Sequence, residues 1–168
     1  MCCVMGLGAA NAQTWNDVKN GVTDASKWAA GLRIGSGVQI QAEYRYSGEN
    51  YFEARFGTYW ANSGGTVMAD FTLLHQWNVA NMDWTPSAGQ WFFDAGCGVN
   101  VGGREHYAYV GAAGSVKLGI KFNNAPIRLA LDWTPSFGPH IAYWKGYSHA
   151  EFNEWALCNI GLSAVYCF

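Results

Sequence analysis

The chain has 168 residues and a formal net charge of −2, with 13% charged residues, 16% aromatic residues and 21 glycines. That length suits one domain with a core of its own, and the composition is apolar and strand-rich, unlike that of a soluble helical or α/β domain. Lys and Arg never cluster, so no nucleic-acid partner is expected, and no run of about 18 apolar residues follows the N-terminus, so no transmembrane helix is expected.

Residues 1–12, MCCVMGLGAANA, are apolar and then small, ending in Ala10-Asn11-Ala12, the A-x-A form of a signal-peptidase site. No Lys or Arg precedes Lys19, whereas a secretory signal opens with a basic region; the expectation is a truncated signal peptide with the start codon placed too late. Cys2 and Cys3 would leave with it, and no apolar run precedes them as a lipoprotein anchor requires. Residues 13–27, QTWNDVKNGVTDASK, lack apolar periodicity and are expected to form a flexible mature N-terminus. The mature part keeps Cys97, Cys158 and Cys167, an odd number that argues for small apolar residues rather than a disulfide framework.

From Trp28 onward, apolar and polar side chains alternate with a period of two, which only a strand can use. The segment 28–35 sets Trp28, Ala30, Leu32 and Ile34 against Arg33 and glycines, and 38–46 sets Val38, Ile40, Ala42, Tyr44 and Tyr46 against Gln39, Gln41, Glu43 and Arg45. The same alternation marks 51–60, 69–77, 91–101, 115–122, 127–134 and 159–168. Turn signals lie at 35–37, 47–49, 62–65 and 123–126, with longer polar stretches near 80–90 and 135–153. The expected fold is all-β: an eight-stranded antiparallel up-and-down transmembrane β-barrel over residues 28–168.

The polar face separates a membrane barrel from a soluble one. It carries small residues, which fit a narrow lumen, between nearly balanced charges: Arg33, Arg45, Arg55, Lys117 and Arg128 against Glu43, Glu53, Asp70, Asp94 and Asp132. Charges closed into a lumen must pair, so these ten form an expected lumen ion-pair network, with Arg128 and Asp132 as one pair. On the apolar face, the starts of odd strands and ends of even strands collect Trp28, Tyr44, Tyr46, Phe52, Trp77, Trp91, Phe93, Phe122, Tyr166 and Phe168 at one rim. An aromatic girdle at a membrane interface explains that clustering.

Eight alternating segments, the N-terminal signal, the GLRIG and LDWTPSFGP stretches and a last strand ending in Phe168 resemble the small OmpA/OmpX-like outer-membrane β-barrels of Gram-negative bacteria. The resemblance implies a bacterial outer-membrane location and a lipid environment. It also implies recognition by the barrel-assembly machinery through Ile160, Leu162, Ala164, Tyr166 and Phe168. Eight strands leave an interior just wide enough for side chains, so function falls to the loops. The segment 135–152 is read as the longest external loop, with Phe137, Tyr143, Trp144 and Tyr147 as candidate contacts to an unidentified host or surface ligand.

No catalytic residue, metal or cofactor is expected. The glycines of GCGVNVGG (96–103) alternate inside a strand with no helix following, so a phosphate loop lacks its context. His140, His149 and Glu151 share one segment without metal-site spacing. His75 lies on the apolar face near the rim, with no Ser and carboxylate beside it. The leading expectation is a structural, adhesive or surface-recognition barrel; the alternatives are a lipid-modifying enzyme using His75, a narrow pore, and a soluble barrel of lipocalin shape. DWTPS occurs twice, at 83–87 and 132–136. Three strands separate the copies, so the first is expected in a turn before strand five and the second at the opposite rim, closing strand seven.

Overall fold

The computed structural model describes residues 27–47, 50–61, 66–144 and 147–168, with side chains described outside residues 61, 66 and 143–156. Residues 1–26, and with them the signal-peptide expectation and all but Lys27 of the N-terminal segment, lie outside the described residues, as do the turn residues 48–49 and 62–65. The period-two segments fold into ten strands: β1 (Trp28–Gly35), β2 (Val38–Ser47), β3 (Asn50–Ala61), β4 (Thr66–Thr85), β5 (Gly89–Arg104), β6 (Tyr107–Phe122), β7 (Ile127–Trp133), β8 (Ser136–Trp144), β9 (Tyr147–Ala156) and β10 (Ile160–Cys167).

These ten strands make eight staves. Both β7 and β8 pair antiparallel with β6, so they are one stave broken at Thr134-Pro135. Likewise β9 and β10 form the next, broken at residues 157–159. The two breaks lie side by side, with Thr134 N donating to Asn159 O at 2.8 Å and Trp133 Nε1 to Leu157 O at 2.6 Å. Neighbouring staves pair in sequence order, and β1 pairs with β10 from Ala29↔Cys167 to Gly35↔Gly161, closing an eight-stranded antiparallel barrel. Closure leaves no free edge in this part of the wall, where every ladder has a partner on both sides.

Four boundaries differ from the sequence-based expectation. The polar stretch near 80–90 is strand and turn: β4 runs on to Thr85, and residues 86–88 turn into β5. Strand six starts at Tyr107 rather than at residue 115, because YAYVGAAG alternates in side-chain size more than in polarity. The expected loop 135–152 is a hairpin, β8 and β9, paired from Ser136↔Ala156 to Trp144↔Tyr147. Pro139 is accommodated there because the β6–β8 ladder skips its position between Phe137 and His140. Lastly, DWTPS 132–136 does not close its stave at a rim. Pro135 removes a ladder donor and breaks the strand, but the stave continues upward as β8. DWTPS 83–87 lies at the end of β4 and in the turn before β5, at the end of the barrel that carries the termini.

At the opposite end, β1 and β2 join at Ser36-Gly37. The Gly35 N–H donates to Gly37 O at 2.9 Å and Trp60 N–H to Ser36 O at 2.8 Å. A Cβ on Gly37 would lie 1.8 Å from Thr58 O, so only glycine lets this turn pack against β3.

Candidate functional site

Strand parity decides what each side of the wall offers. On β2 the pattern is strict: Gln39, Gln41, Glu43 and Arg45 are buried, while Ile40 is 61% exposed and Tyr44 and Tyr46 are exposed beside it. The same holds round the barrel, where Leu32, Phe56, Leu131 and Leu162 are each more than half exposed. Among the described residues, outward strand positions carry no Asp, Glu, Lys or Arg away from the hairpin tips. Inside, the described buried set includes six cations (Arg33, Arg45, Arg55, Lys117, Lys121, Arg128) and five carboxylates (Glu43, Glu53, Asp70, Asp94, Asp132). All ten charges expected in the lumen therefore lie within it, together with Lys121.

The charges join end to end. Near the termini, Arg128 Nη1 donates to Glu43 Oε2 at 2.5 Å and Nη2 to Asp94 Oδ2 at 3.4 Å, with its guanidinium 4.5 Å from the Phe92 ring centroid. Tyr51 Oη and Asn78 Nδ2 donate to the same Asp94 at 2.8 and 2.9 Å. Lys117 bridges Glu43, at 3.7 Å, to Glu53, and Glu53 also accepts from Arg55 Nε. Arg55 Nη1 reaches Thr134 Oγ1 at 2.9 Å and Asp132 Oδ1 at 3.4 Å, and Arg33 Nε donates to that Asp132 oxygen at 2.8 Å. Arg33 then passes the chain to Asn159 Oδ1 at 3.0 Å and Gln39 Oε1 at 3.3 Å.

Toward the far end the chemistry changes. Asp70 accepts from four neutral donors: Gln39 Nε2 at 2.5 Å, Asn100 Nδ2 at 2.6 Å, Tyr109 Oη at 2.7 Å and Thr72 Oγ1 at 3.1 Å. Amide and hydroxyl donors satisfy a buried carboxylate without a cation when enough of them converge. Above it, Tyr59, Met68 and Tyr109 pack into an apolar cluster with Tyr107 against it.

One expected pair does not form. Arg128 binds Glu43 and Asp94 rather than Asp132, because residues four apart on a strand stand about 13 Å apart, beyond ion-pair reach. Partners come instead from across the lumen, or from two residues along one strand, as Arg55 and Glu53 do. Charge alone does not mark the neutral members Gln39, Tyr51, Gln76, Phe92, Asn100, Tyr109 and Asn159. Their inward parity was the available signal.

The ten expected girdle aromatics all lie on the outer face at the end holding the termini, in rows set by the register: Trp28↔Tyr44, Tyr44↔Phe52 and Phe52↔His75. Trp28 and Tyr44 have ring centroids 4.6 Å apart. A second outward set, Trp60, Trp133 and Phe137, marks the other end. His75 belongs to the first: its Nε2 lies 2.6 Å from Tyr46 Oη, and its ring is 4.9 Å from Phe52 and 4.4 Å from Trp77. Of the expected contact residues, Phe137 is exposed on β8, whereas the side chains of Tyr143, Trp144 and Tyr147, like those of His149 and Glu151, lie outside the described residues. Among the described residues no group of His, Cys, Asp and Glu is arranged to hold a metal, and Cys97, Cys158 and Cys167 are free thiols.

Fold and site together define a closed eight-stranded antiparallel barrel with an apolar outer surface and a charged interior, a polarity consistent with a membrane barrel. Comparison of the chain with protein-family models, with curated proteins and with solved structures returned no match.

Proposed function

We propose that the chain is an integral outer-membrane β-barrel of the small OmpA/OmpX-like kind, acting as a non-enzymatic structural or surface-recognition protein. The observation that carries this reading is the inverted polarity: the described outward positions are predominantly apolar, while the described barrel charges away from the hairpin tips are inside. Water would penalise so wide an apolar belt, since soluble monomers rarely expose contiguous apolar patches above a few hundred Å². A bilayer makes the same belt favourable and makes every unpaired backbone group costly, which a closed barrel avoids.

The ion-pair chain fills the lumen, so the protein holds its shape without an open water channel. Recognition then belongs to the end opposite the termini, where the β3–β4, β5–β6 and β8–β9 hairpins emerge. Assembly runs through β10 and the adjoining Phe168, where outward Ile160, Leu162, Ala164, Tyr166 and Phe168 present an apolar and aromatic row to the insertion machinery. His75 serves as an interfacial aromatic partner to Tyr46, Phe52 and Trp77, not as a catalytic base. Expression in a Gram-negative host tests the reading: the protein is expected in the outer-membrane fraction as a band whose electrophoretic mobility changes on boiling. Recovery from the soluble fraction without detergent overturns it.

A further inference from the structure

Resting on that membrane reading, we infer that the outer face of β1–β3 holds one phospholipid, its acyl chain seated in an apolar groove and its headgroup against the Tyr46–His75 pair. A groove of about 400 Å³ lies there, with Ala30, Ala42 and Ala54 in its floor and Ile40, Phe56 and Phe71 along its upper side. The register makes it continuous across three strands: Ala30 faces Ala42 and Ala42 faces Ala54. Its ends are closed by larger partners of the same row, Tyr166 beside Ala30 and Leu73 beside Ala54. Two residues down each strand, the row Trp28–Tyr44–Phe52–His75 forms the lower ledge.

Geometry selects the occupant. Upper and lower ledges are four residues apart, about 13 Å between backbone rows. With the ledge side chains in place, the slot is too narrow for a helix of about 10–12 Å diameter. A convex copy of the same barrel meets the ledges before it meets the floor. A single hydrocarbon chain reaches the alanine methyls, and the groove is continuous with the apolar belt from which such a chain would come. Below the lower ledge lies a hydrogen-bonded polar pair, Tyr46 Oη and His75 Nε2 at 2.6 Å among exposed aromatics. Aromatic rings of this kind sit at headgroup level in membrane proteins. A chain in the slot thus places its phosphate and glycerol oxygens beside the Tyr46 hydroxyl, which is free to donate to them when His75 Nε2–H supplies the bond within the pair.

The test uses the full chain, folded into phosphatidylethanolamine vesicles, extracted in detergent, and examined by native mass spectrometry for retained phosphatidylethanolamine. One lipid per barrel is expected to survive extraction from the wild type. Ala42→Phe, which fills the floor, is expected to lower the retained fraction about tenfold. Ala112→Phe, outward but on β6, is expected to leave it unchanged, and Tyr46→Phe with His75→Phe to give an intermediate loss. Heat-modifiable mobility of each variant shows that it has folded. Equal retention by wild type and Ala42→Phe overturns the site, as does equal loss in Ala112→Phe, or a barrel dimer in place of bound lipid. Failure of the wild type to enter vesicles at all overturns the membrane reading itself, and is distinguished by flotation before extraction.

Discussion

Asp132 shows how a single side chain holds two walls together. One of its oxygens receives Arg33 Nε from β1 and Arg55 Nη1 from β3, while the carboxylate itself stands on β7. Removing one partner of such a buried pair leaves the other charge without compensation, typically at a cost of about 3–5 kcal/mol. Arg33→Met leaves Asp132 the longer Arg55 contact at 3.4 Å and the Thr134 hydroxyl at 3.2 Å, so it is expected to destabilise the barrel by less, about 1–3 kcal/mol, read by urea unfolding in vesicles. The double variant Arg33→Met with Asp132→Leu should cost less than the sum of the two single changes, because the Arg33–Asp132 bond is lost only once and Arg55 retains Glu53. Gly161 makes a second residue-scale case. A Cβ placed on it would lie 2.6 Å from Arg33 Cζ, and the guanidinium is pinned by Asp132 and Asn159, so Gly161→Val is expected to destabilise where Ser163→Val on the same strand is milder. The sequence identified Arg33 and Asp132 as inward by parity alone. Their meeting was not legible, since it depends on which strands face each other across a closed lumen.

At the scale of the strand, outward position and depth set the cost of a charge. Ile40 lies on β2 four residues above the Tyr44 girdle and Trp84 at the far tip of β4, both about three-fifths exposed. In a bilayer, Ile40→Arg is expected to cost about 2–4 kcal/mol and Trp84→Arg about 0–1 kcal/mol; in a protein bathed by water the two would cost alike. Unfolding titrations of both variants in the same vesicles make the comparison. For β10, Phe168→Ser is expected to reduce the yield of inserted barrel in cells while barely changing the stability of the barrel once folded, because the backbone pair between Phe168 and Trp28 remains. Strand identity was readable wherever apolar and polar residues alternate, as in β2 and β10. It failed where the alternation is between small and large residues, as at the start of β6, and where Pro and Gly looked like a loop. Pro135 only interrupts a stave that resumes at Ser136, and Pro139 sits within β8 because the β6 ladder skips it while the β9 ladder pairs it with Phe152, a fact about partners that the local sequence does not contain.

For the whole molecule, the continuous chain from Asp94 to Asp70 leaves the lumen occupied, and planar-bilayer recordings are expected to show no steady open conductance at neutral pH. The repeated DWTPS illustrates what one sequence motif can and cannot say at this scale: the same five residues end one stave at a turn and interrupt another in mid-course, because Pro breaks a ladder without dictating where the chain goes next. Everything rests on the direction in which the wall faces. Single nitroxide labels at successive positions of β2, with the native cysteines replaced by Ser and the protein folded into lipid vesicles, read that direction residue by residue. Oxygen accessibility is expected to alternate with period two, highest at positions 38, 40, 42 and 44 and low at 39, 41 and 43. Aqueous nickel-complex accessibility should stay low at the lipid-facing positions. Even-numbered positions open to the aqueous complex, or no alternation at all, would contradict it.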